Sequence, residues 1–157
     1  MNETGQSLFS FMKEQSGKIL DQLLQHIGLT FISLIIAVII GVPVGILIAR
    51  KKKFSAPVLG LTGILQTIPS IALLGFMIPL LGIGPVPAIV ALFLYALLPI
   101  VRNTFTGITG VDATVIESAK GMGMSSGQIL RKVELPLSMP VILAGIRTAT
   151  VINVGVA

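Results

Sequence analysis

Residues Glu117–Pro136 read ESAKGMGMSSGQILRKVELP. The stretch is charged, glycine-bearing and helix-forming, and it lies between long runs with almost no charge. Upstream, Phe54–Val101 contains no Asp, Glu, Lys or Arg; downstream, Leu137–Ala157 carries only Arg147. At about 1.5 Å of rise per helical residue, such runs are long enough to cross a hydrocarbon layer of about 30 Å. The neighbours therefore read as membrane spans, and Glu117–Pro136 as a loop held at the membrane surface. A loop of that kind is suited to passing force to a soluble partner rather than to chemistry.

The composition agrees. Of 157 residues, 54% are hydrophobic and 11% charged, against about 25% charge in soluble domains, and the mean hydropathy is +0.99. This is the signature of an integral membrane protein with one membrane domain. There is no cysteine and a single histidine, His26, so no disulfide framework, thiolate site or paired-imidazole metal site is available. The net charge of +5 comes from cations set beside apolar runs, as the positive-inside rule expects. No basic face with interleaved aromatics exists, which argues against nucleic-acid binding. Glu3, Lys13, Glu14, Lys18 and Asp21 make the first 26 residues too polar for a cleaved signal peptide.

The pattern predicts an all-α, polytopic bundle. Residues 1–26 form a polar, amphipathic segment in which Phe9, Met12, Ile19, Leu20, Leu23 and Leu24 recur at roughly helical spacing. The membrane domain, 27–157, holds spans at about 27–49, 58–81, 86–101 and 137–157. Gly41, Pro43 and Gly45 in the first span allow a bend or a close helix contact. Gly82-Ile83-Gly84-Pro85-Val86-Pro87 is the strong turn signal between the second and third spans. Arg50-Lys51-Lys52-Lys53 closes the first span, and the loop 102–136 carries Arg102, Lys120, Arg131 and Lys132. Both basic loops belong on the cytoplasmic side, which places the N-terminus outside. The last apolar run reaches Ala157 without a polar cap or stop charge, so a C-terminal truncation is expected.

Within the loop, Asp112 is positioned to cap a helix from about Ala113 to Lys120. Gly121 and Gly123 permit a sharp turn. Ser125 with Gln128 has the spacing of a capping box for a second short helix reaching about Glu134, and Pro136 marks where the fourth span starts. Ile116, Met122 and Met124 put apolar groups around this knob. Adaptable methionines suit a docking surface; a loop that merely caps its own bundle is the alternative.

The spacing Glu117-Ser118-Ala119, three residues, Gly123, nine residues, Val133, one residue, Leu135-Pro136 resembles the "EAA" loop of binding-protein-dependent ABC importer permeases. Ser118 stands where that family usually has Ala, and Val133 where it usually has Ile. Gln66-Thr67-Ile68-Pro69-Ser70, Glu117–Gly123 and Ala144-Gly145-Ile146-Arg147-Thr148-Ala149-Thr150 are similar to the permeases of osmoprotectant importers, which carry glycine betaine, carnitine, choline or proline betaine. The resemblance covers nearly all of the chain after about residue 20 and implies a type I importer permease fold, with at least one further span in most members. It implies a bacterial inner or plasma membrane location and a coupling loop (Glu117, Ser118, Ala119, Lys120, Gly121, Gly123, Val133, Leu135 and Pro136) seated on a cytoplasmic ATPase dimer. It also implies a second permease subunit, identical or paralogous, and an extracytoplasmic substrate-binding protein. No catalytic residue and no cofactor is expected in this chain, because ATP would be bound by the partner and no Gly-x-x-x-x-Gly-Lys-[Ser/Thr] run exists here.

For the translocation path, Thr62, Gln66 and Ser70 fall four apart and would form one polar stripe on the second span. Such a stripe either lines a cavity or hydrogen-bonds between helices. Arg147 inside the fourth span is a functional candidate or snorkels to the interface, and Asn153 could share part of its face. A quaternary ammonium usually needs an aromatic cage, yet the chain has no Trp, one Tyr and seven scattered Phe, so high-affinity recognition is expected in the binding protein. Alternatives are a permease for another small solute such as an amino acid or sulfonate, an ATP-independent secondary carrier, and a non-transporting or truncated membrane protein.

Overall fold

The computed structural model describes residues 15–156. The first helix, α1, runs Ser16–Arg50. A short 3₁₀ turn at Lys52–Phe54 leads to α2 (Ser55–Thr67) and α3 (Ser70–Leu81). Helix α4 spans Pro85–Thr109, α5 Ala113–Gly121 and α6 Ser126–Ile129. A π-helical segment at Leu130–Glu134 joins α6 to α7 (Leu135–Val156). Among the described residues, α1, α4 and the continuous helix Ser126–Val156 are each long and apolar enough to cross a membrane.

The N-terminal part of the expected amphipathic segment, including Phe9 and Met12, lies outside the described residues. From Ser16 onward that segment is no separate element, because α1 passes through residues 26 and 27 without a break. No cap or proline stands there to stop it; the lone Gly28 is tolerated.

The core sits around α4. Its buried positions, Pro87, Ala91, Leu92, Tyr95, Ala96, Pro99, Ile100, Val101, Thr104, Gly107 and Ile108, recur mostly at intervals of three and four and so form one wide helical face. Helix α1 lies parallel to α4 and α7 antiparallel. Both approaches are set by glycines. A methyl at Gly45 would stand 2.5 Å from Thr104 Cβ, and one at Gly145 would stand 2.6 Å from Asn103 Cβ and 2.7 Å from the Pro99 carbonyl. Gly41 faces Ile100, and Gly107 faces Ser138 and Val141, in the same way. Leu34, Ala37, Ala96, Ile100 and Ala149 fill the layer between the three helices. Lipid tails compete with apolar side chains, so close approach of small residues is what holds helices together in a bilayer. Of the two roles open to Gly41 and Gly45, contact is the one realised.

The expected second span, 58–81, is not a straight helix. It is broken at Ile68–Pro69, and the two halves meet at 98°. Ile68 is extended (φ −77°, ψ 126°), as the residue before a proline prefers, and Pro69 has no N–H to give. The break is tied to α4 in both directions. The Tyr95 hydroxyl donates to the Ile68 carbonyl, and Gln66 Nε2 donates to the Tyr95 carbonyl at 2.9 Å. Backbone left bare by the break thus finds a partner, as a low-dielectric surrounding demands.

Two substitutions test the glycine contacts. Gly145→Val forces a collision with backbone and should destabilise the bundle by about 1–3 kcal/mol or more. Gly63→Ala meets nothing within 4 Å and should be neutral or stabilising. Thermal unfolding of the purified protein in one detergent compares them; equal melting temperatures would contradict the assignment.

Candidate functional site

The elbow between α4 and α7 is built from local sequence grammar. Asp112 caps α5: its Oδ1 accepts from the Thr114 amide at 2.8 Å and from the Thr114 hydroxyl at 2.7 Å. Those two bonds hold the Asp112 carboxyl below the usual carboxylate range. At the other end of α5 the Met124 amide donates to the Ala119 carbonyl (3.1 Å) and the Gly123 amide to the Lys120 carbonyl (2.9 Å). This is the Schellman pattern. It requires a left-handed residue after the helix, and Gly123 supplies it with φ +79°. One residue after Met124, the capping box is present: Ser125 N–H donates to Gln128 Oε1 (2.8 Å) and Gln128 N–H donates to Ser125 Oγ (3.4 Å).

Ala119 and Ile129 are the buried centre of the elbow, 2% and 3% exposed. Glu117, Ser118, Lys120, Gly121 and Gly123 are exposed, and the Met122 side chain stands out at 74% exposure. Val133 and Leu135 are half-buried and Pro136 is exposed. The result is a small knob, capped at both of its helices, with a charged, glycine-bearing face from which the apolar Met122 and Val115 side chains project. Pro136 does not interrupt the helix as its chemistry predicts. The π segment just before it, closed by the Leu135 amide on the Leu130 carbonyl, widens the ladder at the place where the proline ring would strike the preceding turn.

One contact was not legible in the sequence. The Arg50 guanidinium, at the end of α1, donates through Nη2 to Glu134 Oε2 at 2.5 Å and to the Ser126 carbonyl at 3.2 Å. The Glu134 side chain is only 8% exposed. This also places the Arg50–Lys53 loop and the elbow at the same end of the bundle, as the charge pattern predicts.

The path candidates do not assemble as expected. Thr62 on α2 is buried and donates to its own helix, to the Val58 carbonyl at 3.0 Å, and Gln66 is committed to Tyr95. Ser70 lies beyond the 98° break, so the three do not form one stripe. Ser70 instead lines a cavity of about 240 Å³ together with Gln22, Gln25 and His26 of α1 and Ala88 of α4. Arg147 is exposed on the outer face of α7, whereas Asn153 is fully buried and donates to Ser33 Oγ at 3.2 Å; the two point in different directions. Among the described residues, no cluster of His, Asp and Glu could hold a metal ion.

The family model described as "Binding-protein-dependent transport system inner membrane component" matches residues 41–157. The chain is 48% identical over 148 residues to the choline transport system permease protein OpuBB of Bacillus subtilis, covering 94% of this chain and 68% of that one. It is 48% identical over 151 residues to the osmoprotectant import permease protein OsmW of Salmonella typhimurium, covering 93% and 70%. Among solved structures it is similar to the MetNI methionine ABC transporter in an inward-facing conformation, with a TM-score of 0.77 at 29% identity over 87% of this chain and 69% of that one.

The Asp112 cap carries a pH dependence. Because its native carboxyl titrates below the ordinary value, the cap's contribution is present above the ordinary carboxylate range and is lost as pH falls through the lowered native value. The protection factor of the Thr114 amide, its exchange relative to an unstructured peptide at the same pH, should therefore fall as pH is brought down towards about 3. Asp112→Asn, which caps without titrating, should flatten that response, and Asp112→Ala should raise exchange throughout.

Proposed function

This chain belongs to the binding-protein-dependent transport system inner membrane components, and from that premise we propose that it is the membrane-spanning permease subunit of an ATP-driven importer for osmoprotectants of the choline, glycine betaine and carnitine type. The observation that carries the reading is the elbow. A capped knob with Ala119 at its centre and Glu117, Lys120 and Met122 on its surface is continuous through the π segment with α7. A push on the knob is therefore delivered along a helix 22 residues long, and through the Gly107 and Gly145 contacts to α4.

In this reading the elbow seats in a cleft of a cytoplasmic ATPase, so that closure of the ATPase dimer on ATP moves α7 and α4. Glu117, Ser118, Lys120, Gly121 and Gly123 form the seat around the buried Ala119, and Val133, Leu135 and Pro136 link it to the span. The protein then lies in the bacterial inner membrane with its N-terminus outside. It pairs with a second permease subunit and receives solute from an extracytoplasmic binding protein, which supplies the recognition that the aromatic-poor spans lack. The relatives at 48% identity are named for choline and osmoprotectants, and the methionine transporter stands at 29%; this ordering favours an osmoprotectant over an amino acid.

The test is reconstitution in liposomes with the ATPase, the partner permease and the binding protein. Uptake of labelled choline or glycine betaine should require ATP and ignore ion gradients. Uptake driven by an ion gradient without ATP would identify a secondary carrier instead. In the same system Gly123→Leu, which forces a bulky side chain onto a left-handed residue, should cut uptake at least tenfold while membrane insertion is retained. Normal transport by that variant would count against the elbow as the coupling joint.

A further inference from the structure

We infer that Arg50 and Glu134 form a mechanical clamp that makes α1 move with the coupling elbow; the inference rests on the proposed importer reading and adds a positioning pair to it. The elbow leaves the bundle by two covalent routes, through residues 110–112 to α4 and through the π segment to α7. Helix α1 has no covalent route to it. Among the described residues, the hydrogen bonds from α1 to the stretch 126–134 come from the guanidinium of Arg50. Its Nη2 reaches the Ser126 carbonyl, on the first residue of α6, and Glu134 Oε2, on the last residue of the π segment. One side chain therefore grips both ends of the stretch 126–134.

Three features make the grip more than an incidental surface pair. The Glu134 carboxylate is withdrawn from solvent (8% exposed), where an ion pair is screened little and a lone charge is strongly disfavoured. Glu134 closes the wide π turn; loss of the one extra residue that this turn holds would swing the carboxylate about 100° around the helix. And α1 is seated on α4 through Gly41 and Gly45, so that an elbow that carried α4 with it and left α1 behind would have to shear that close contact. The neighbouring cations Lys51, Lys52, Lys53, Arg131 and Lys132 are exposed; the Arg50 side chain is itself 36% exposed, and it is the guanidinium that reaches Glu134.

The experiment uses the complete reconstituted importer and reads solute transported per ATP hydrolysed, with subunit assembly checked by co-purification. Arg50→Gln and Glu134→Gln should each lower that ratio at least fivefold in assembled complexes, because ATPase cycles continue while the bundle follows incompletely. The exchange R50E/E134R should recover most of it. Assembled single variants with a wild-type ratio overturn the clamp, as does an assembled exchange variant that stays uncoupled. If the Gln variants do not assemble, Glu134→Asp decides. It keeps the charge but draws the carboxylate back by one methylene: a lowered ratio supports the clamp and an unchanged ratio overturns it. Absence of ATP-dependent uptake in the wild-type complex would instead defeat the importer reading on which the clamp depends.

Discussion

The structure depends on how closely α4 can be approached. Its two partners reach it at Gly45 and Gly145, where even a methyl group would stand within 2.6 Å of a neighbouring atom. In water such contacts would be secondary to hydrophobic burial. In lipid that driving force between helices is absent, and tight van der Waals contact along small residues takes its place. Because α4 and α7 also carry the two ends of the elbow, the same glycines fix the separation of its anchor points. A helix packed one side chain further out would give a wider and looser elbow.

Around this frame, two irregularities in the backbone and one buried charge are compensated nearby. The break at Ile68–Pro69 exposes the Ile68 carbonyl in an apolar setting, and the Tyr95 hydroxyl donates to it, while Gln66 donates to the Tyr95 carbonyl in return. The proline at position 136 sits directly after a widened turn. The buried Glu134 is matched by Arg50. The bundle is thus irregular where it has partners to spare, and regular along the α1–α4–α7 contacts.

What could be read from the sequence follows the range of the interactions. The caps at Asp112 and Ser125 and the left-handed turn at Gly123 are local devices, in which residues a few positions apart bond one another, and their spelling is enough. The all-α membrane class follows from composition alone. The 98° break does not, because an apolar run of the length of 58–81 looks the same straight or bent, and only Pro69 hints at it. The pairing of Arg50 with Glu134 joins residues 84 positions apart, beyond any periodicity. The supposed stripe of Thr62, Gln66 and Ser70 failed for a related reason: a spacing of four places residues on one face only while the helix continues between them. Arg147 and Asn153 were grouped by proximity in the sequence, yet one faces outward and the other is sealed against α1.

The π segment has a consequence for how this elbow tolerates change in length. A helical ladder turns about 100° with each residue, and the five residues 130–134 accommodate one more than a regular turn would. Removing a single residue there would restore an ordinary ladder and swing α5 and α6 around the axis of α7 by roughly that angle. The knob would survive intact but face another compass bearing, like a key cut correctly and inserted sideways. Chain length between α6 and α7 is in this sense a steering parameter, set by counting residues rather than by their chemistry.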